Sequence, residues 1–323
     1  METVNLYNIF IEEFAELWFN KILLESKETG INNLVFPLSR NGNLTLELVK
    51  KNPNIEWVMN YVSKSPNIYM KHILENPDIN WNFNGLSINP NIYMKHILQF
   101  PQFPWNFRII SFNPNITEKD ILGNPQIKWD YSALSFNKNM TWEFISKNLD
   151  KDWSFKHLSS NPNIKLENVL ENPRLDWCFK NLSINPNIKF EDVLNNPQIR
   201  WDAQYLSLNK NITIEVVNKN PSFPWVYHAL SRNSNITIEF MKLNPQIPWH
   251  KFESMSNKNI RFIHFSDYRH EYYYMSTLSG NELILDKNEF MIKKHRQFFM
   301  ENIFEELMAY VLHPKNFKKF KYI

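Results

Sequence analysis

Hydrophobic positions in this chain return on a 24-residue beat. Trp stands at 57, 81, 105, 129, 153, 177, 201, 225 and 249, nine times in strict register. Asn stands at 43, 67, 91, 115, 139, 163, 187, 211, 235 and 259, followed by Ile in eight cases and by Leu44 and Met140 in the others. Further along each unit comes an aliphatic residue (Val49, Ile73, Ile97, Ile121, Ile145, Val169, Val193, Val217, Met241). Pro closes that segment at 53, 77, 101, 125, 173, 197, 221 and 245, with Leu149 as the exception. After Trp come an aromatic two residues on (Phe83, Phe107, Tyr131, Phe155, Phe179, Tyr227) and a Leu-Ser pair or a near equivalent. Such self-similarity asks for one structural unit per period before the chain is divided into ordinary domains.

Two short helices per unit fit the columns. In "NIKFEDVLNNP" (187–197), Ile188, Val193 and Leu194 are expected on one buried face, and Glu191 falls in the N-terminal turn, where the helix dipole favours a carboxylate. Asn187, or the next polar residue as with Thr213, is expected to cap that helix. The pairs Pro104-Trp105, Pro224-Trp225 and Pro248-Trp249 predict Pro at the first position of the second helix, with Asp130 and Asp202 in its first turn. Asn-Pro pairs are expected to end each helix, because the residue before Pro avoids the α region. Helices of about eight residues are too short to persist alone and need neighbours to stack on. The expected fold is therefore all-α: an α-solenoid of about nine to ten 24-residue two-helix repeats with helical caps at both ends. At roughly 8–10 Å per helix layer, that predicts a rod or superhelix on the order of 80–100 Å long.

A leucine-rich-repeat-like solenoid is the alternative, since "LSINPN" (182–187) meets that motif and the period suits it. Against it, Arg40, Lys64, Ser160 and Arg232 occupy a slot that a buried strand would fill with Leu. Pro also precedes the Asn column at 66, 90, 114, 162 and 186, where a ladder wants donors. The organisation read from the chain is an N-terminal capping helix within 1–30, the repeat solenoid over 31–261, and a helical cap with a basic tail over 262–323. Residues 3–26 predict an amphipathic helix with Leu6, Phe10, Phe14, Leu17, Trp18 and Ile22 on one face, stopped near Gly30. A longer helix is expected over 287–312, halted by His313-Pro314.

The column set Trp-(Asp/Asn)-x-x-x-Leu-Ser-x-Asn-Pro-Asn-Ile-Thr-x-Glu, closed by Asn-Pro-x-Ile-x-Trp, resembles the Asn-Pro/Trp repeat proteins that giant, mimivirus-like DNA viruses of amoebae encode in many copies. The resemblance covers about 31–261. The segment "EELMAYVLHPKNF" (305–317) is similar to the His-Pro-Lys ending of some of them. What this implies is a viral repeat protein in an infected cell, from a family with no established activity and no catalytic residues to carry over. Leu149 and Met255 depart from the pattern and predict local irregularity.

Composition changes this picture little. Hydrophobic residues make up 43% and the net charge is +3, divided as −4 over 1–30, +6 over 31–261 and +1 over 262–323. That is not the concentrated footprint of a dedicated nucleic-acid binder. A single Cys178 leaves no intramolecular disulfide and suits a reducing compartment. The opening residues do not read as a signal peptide, and no stretch approaches the roughly 18 apolar residues of a membrane span. The expected location is intracellular, in host cytoplasm or a viral factory, or in the virion.

Candidate chemistry is sparse. No phosphate loop, dinucleotide fingerprint or zincin motif occurs, so no catalytic, cofactor-binding or metal-binding residue is assigned, and the chain is read as not an enzyme. Cys178 is read as a packed thiol. His72 and His96 fill equivalent slots in adjacent units, too far apart to share a metal. His264, Asp267 and His270 have ligand-like composition without diagnostic spacing. One column is suggestive: Glu47, Lys71, Lys95 and Lys119 give way to Glu143, Glu167, Glu191, Glu215 and Glu239. Acids there suit the helix dipole and pair with Lys a turn on, as at Glu47–Lys51, Glu143–Lys147 and Glu215–Lys219. Five in register also make an acidic stripe for a basic partner, and that stripe weighs against nucleic acid. Lys315, Lys318, Lys319 and Lys321, interleaved with Phe317 and Phe320, offer an anion contact at a nucleic acid or a membrane surface. The function expected is a non-catalytic scaffold for a viral or host protein. The alternative is a nucleic-acid-binding repeat protein that uses its basic repeat region and tail.

Overall fold

In the computed structural model, which describes residues 2–29, 34–264 and 283–302, the chain is built of helices and turns, with no strand among the described residues. This settles the architecture as an all-α repeat solenoid and removes the leucine-rich alternative. Nine first helices, such as Phe190–Asn195, alternate with ten second helices, such as Ala203–Leu208. Each holds only four to six residues, shorter than the sequence suggests.

Local chemistry explains why. The residue two after the Asn column is the N-cap of the first helix. Thr45, Thr117, Thr141, Thr213 and Thr237 accept the backbone N–H three residues on. The column Asn itself does not cap, for a reason given below. Asn-Pro ends the helix as expected: the C-cap Asn52, Asn76, Asn124, Asn172, Asn196, Asn220 and Asn244 leave the α region, with ψ of 57–63°. The Trp amide then donates back two residues, closing a three-residue turn, for example Trp105 N to Phe103 O at 2.7 Å. In its inverse form this turn wants φ near −75° at its centre, close to the value proline fixes. Pro104, Pro224 and Pro248 accordingly lie in the turn, three residues ahead of the helices that start at Phe107, Tyr227 and Lys251, not at the first helical position. Asp130 and Asp202 cap the second helix through the amides of Ala133 and Tyr205, one position earlier than expected. At Leu149 the departure is mild: the first helix Trp142–Ser146 is one residue shorter and exits through Lys147 in the α region.

One core runs through the middle of the array, from Leu46 to Leu230, made by the Ile after Asn, the Leu before Ser and the Trp column, and the end units join a second cluster with the N-terminal helix. Aromatics interlock across unit boundaries: Phe155 meets Trp177 edge-on at 5.1 Å, and Tyr131 meets Trp153 likewise. Leu194, expected inside, is instead 60% exposed, because the six-residue helix turns only Phe190 and Val193 inward.

Beneath the apolar contacts lie three polar ladders with the 24-residue pitch. The buried Asn before each Pro or its equivalent (Asn89, Asn113, Asn137, Asn161, Asn185, Asn209, Asn233, Asn257) donates both amide hydrogens to carbonyls of the preceding unit. Its oxygen accepts the backbone N–H two residues on, as from Asn187 to Asn185 at 2.8 Å. The strict Asn column also reaches back, Asn187 to Pro162 O at 2.6 Å and Ile164 O at 3.0 Å. That use of the side chain is why it cannot cap its own helix. Third, the Ser of Leu-Ser accepts the N–H after the next Trp, at 2.8–3.0 Å in all nine pairs from Ser39–Val58 to Ser231–His250. Within a unit, every column Trp donates Nε1 to the carbonyl five residues earlier, at 2.8–3.1 Å. Met255 stands at the Ser position of the last described unit. There a fully buried thioether packs in the slot that Ser fills in the preceding units.

The units are wedges. Toward both ends of the array second helices of successive units pack side by side, Met59–Ser63 on Phe83–Ser87 and Ala203–Leu208 on Tyr227–Arg232, while the first helices there stand further apart. Equivalent rings on the second helices touch, Phe112 to Phe136 at 5.6 Å. The array therefore curves with its second helices inside.

The curvature brings the ends together, so of the rod and the superhelix expected the array takes the curved form. The N-terminal helix Glu2–Thr29 buries Phe10, Phe14, Trp18 and Ile22, with Leu17 outside that face and the side chain of Leu6 outside the described residues. It rests on the first helix Leu46–Lys51, where Thr45 donates to Glu12 at 2.5 Å and Lys51 pairs with Glu16. Its other side meets the C-terminal helix Ile284–Asn302 through Phe14–Phe290 at 5.5 Å and Glu13–Lys294 at 2.5 Å. That second helix is anchored to the last unit by Arg261, which pairs with Asp286 and Glu289, and by Leu283 packed in the cluster of Met255 and Ile260. Glu289 and Lys294 are five residues apart, about 8 Å of helix, so the last unit and the N-terminal helix stand side by side.

Candidate binding faces

Because the ladders use the buried polar groups for stacking, what the protein can offer a partner is the set of exposed columns. On the outer side, Glu143, Glu167, Glu191, Glu215 and Glu239 are all exposed in the first turn of consecutive first helices. Glu143 pairs with Lys147 at 2.5 Å, which holds its carboxyl below the usual range. The Thr213 hydroxyl does the same for Glu215, and a bond from its own backbone amide does so for Glu239, helped by His264 at 3.0 Å. Of the other expected pairs, Glu47 bridges to Lys50 rather than Lys51. Lys315, Lys318, Lys319 and Lys321 lie outside the described residues, as do Asp267 and His270.

Three residues beyond that column, one turn on and on the same helix face, lies a column missed in the sequence: Leu74, Leu98, Leu122, Leu170 and Leu194, all exposed. The signal was present, since a Leu so placed cannot share the core with the aliphatic just before it. Beside these leucines apolar clefts recur at the unit pitch. One of about 580 Å³ is lined by Leu98, Pro101, Phe107 and Ile127; equivalents of about 500 and 390 Å³ lie at Leu74–Pro77–Phe83 and Leu170–Pro173–Phe179.

The inner side has the opposite character. The stretches from each Trp to the next Asn, together with 34–42, hold ten cations (Arg40, Lys64, Arg108, Lys138, Lys156, Lys180, Lys210, Arg232, Lys251, Lys258) and three carboxylates. All three acids are engaged: Asp130 caps its helix and pairs with Arg108, Asp202 caps, and Glu253 pairs with Arg232. The positive balance of the repeat region is thus gathered on the second helices, a segregation hidden when charge is summed along the chain.

The histidines singled out at 72, 96 and 264 turn out to be caps. Nδ1 of His72 accepts the N–H of Tyr69, His96 that of Tyr93 and His264 that of Arg261, at 3.0–3.3 Å. Asp120, Asn168 and Asp192 do the same at equivalent positions. Burial, with Lys71 and Lys95 nearby, holds His72 and His96 below the usual imidazole value. Cys178 is half-buried at a helix N-cap, its N–H donated to Ser159. Among the described residues no group of three His, Cys, Asp or Glu is placed to hold a metal, and no helix is long and apolar enough to cross a membrane. Compared with known protein families, curated proteins and solved structures, the chain finds no match.

Proposed function

We propose that the protein is a non-catalytic repeat scaffold whose outer face docks an extended segment of a viral or host protein rich in basic and apolar residues, in the setting of giant-virus infection that the repeat columns suggest. The observation that supports this reading best is a register. Five consecutive first helices expose a carboxylate at one position, Glu143 to Glu239, and an exposed Leu follows one turn on in the units of Leu170 and Leu194. A chain laid across them would meet a carboxylate at every unit and an exposed Leu in two of them, so affinity would come from repetition rather than from one strong contact. Conversion of Glu143, Glu167, Glu191, Glu215 and Glu239 together to Gln is expected to leave the melting temperature within a few degrees, since these side chains are exposed. Affinity capture from infected cells with tagged wild type and variant checks the reading. Proteins retained by wild type and lost by the variant support it, and an identical captured set retires it.

A further inference from the structure

We propose that the inner, second-helix face is a second and separate binding surface, for single-stranded nucleic acid. Lys64, Lys156 and Lys180 are exposed there with no carboxylate in ion-pair range among the described residues. Lys180 and Lys64 lie over the rings of Tyr205 and Tyr61 at 4.9 and 5.3 Å. Between these cations the exposed rings of Phe112 and Phe136 run together at 5.6 Å, and Phe136 continues onto His157 at 3.7 Å. Exposed cations and a half-exposed run of rings match a strand that carries a phosphate and a flat base at every step. An acidic protein segment would satisfy the lysines and leave the rings in water. A duplex hides its base faces in its own stack, and a concave wall cannot lie on a flat bilayer. The acidic column that weighs against nucleic acid in the sequence lies on the first helices, on the outer side of the curve, and does not oppose this face.

The test is fluorescence anisotropy of the full-length protein with a labelled polyuridine of about 20 nucleotides. Wild type is expected to bind with a log–log salt slope of about −2, the value for three neutralised phosphates on a single strand. K156E/K180E is expected to weaken binding at least about tenfold, and Phe136→Ala about tenfold through lost stacking. Reversal of Lys315, Lys318, Lys319 and Lys321 in the tail, and the outer Glu-to-Gln variant, should each leave binding within about twofold, since the contacts are assigned to the inner face. Any of four results overturns the proposal: no binding, binding that depends on the tail instead of Lys156 and Lys180, a duplex held as tightly as the single strand, or displacement by poly-glutamate of equal charge as effective as by unlabelled strand. Circular dichroism controls for folding. If K156E/K180E melts early, the exposed Phe136→Ala variant decides the matter by itself.

Discussion

At the scale of the residue, the side chains that repeat most strictly are those whose partners lie one unit away. A carboxamide is suited to this place because it has two donors and an acceptor. Asn185 gives its hydrogens to Ser159, Asn161 and Ile164 carbonyls and takes the amide of Asn187, all in a fully buried site. Asp could not donate, and an aliphatic would leave several buried backbone groups without partners. Asn185→Ala is therefore expected to cost about 3 kcal/mol or more, at roughly 1–3 kcal/mol per orphaned group, whereas Asn187→Ala at the more open rim should cost about 1 kcal/mol. Trp153→Ala should cost about 3–5 kcal/mol as a large-to-small core change, since the indole packs on Tyr131 and Phe144 and bonds Asn148. Urea unfolding of the three variants checks the order; an Asn185 variant as stable as the Asn187 one would refute the ladder's role.

At the scale of the element, each helix is too short to hold itself and depends on its first and last turns. Where Thr is absent as N-cap, the side chain three residues on takes the N-cap amide: His72, His96, Asn168 or Asp192. The histidines make two of these caps sensitive to pH. Only the neutral ring accepts, and burial depresses both values in the folded state. Above the unfolded value of 6.5 both states are neutral and stability is intact; below it the unfolded chain binds protons first, so stability falls as the pH drops further. H72N/H96N keeps an acceptor of the kind Asn168 supplies and removes the titration. The expected outcome is a melting temperature near wild type at pH 8 and a shallower fall toward pH 5; parallel profiles would show that these caps are not what titrates.

At the scale of the whole molecule, a small wedge angle summed over the array turns a stack into a curve whose two end helices meet. The contact is made by Phe14–Phe290, Phe10 packed with Met291, and Glu13–Lys294. Phe290→Ala with Lys294→Glu should loosen it while leaving the ladders untouched. A larger radius of gyration in small-angle scattering with unchanged helical content is the expected result, and an identical scattering profile would mean that the curve closes without that contact.

Much of this was legible in the chain. The period set the units, Asn-Pro set the helix ends, and Ile188, Val193 and the Trp column could be read as core because burial follows local spacing. The acidic column could be placed on an exposed first turn for the same reason. Leu194 was misplaced because the helix proved shorter than its pattern, and Asn187 because a polar residue before a helix has a local use and a distant one that look alike in sequence. The cation face and the meeting of the end helices belong to tertiary structure alone. Local sequence dictates what each residue can bond with nearby. Which carbonyl lies across the next boundary, which columns share the inside of the curve and where the last unit arrives depend on the angle between neighbours, a quantity that exists only once the units are packed.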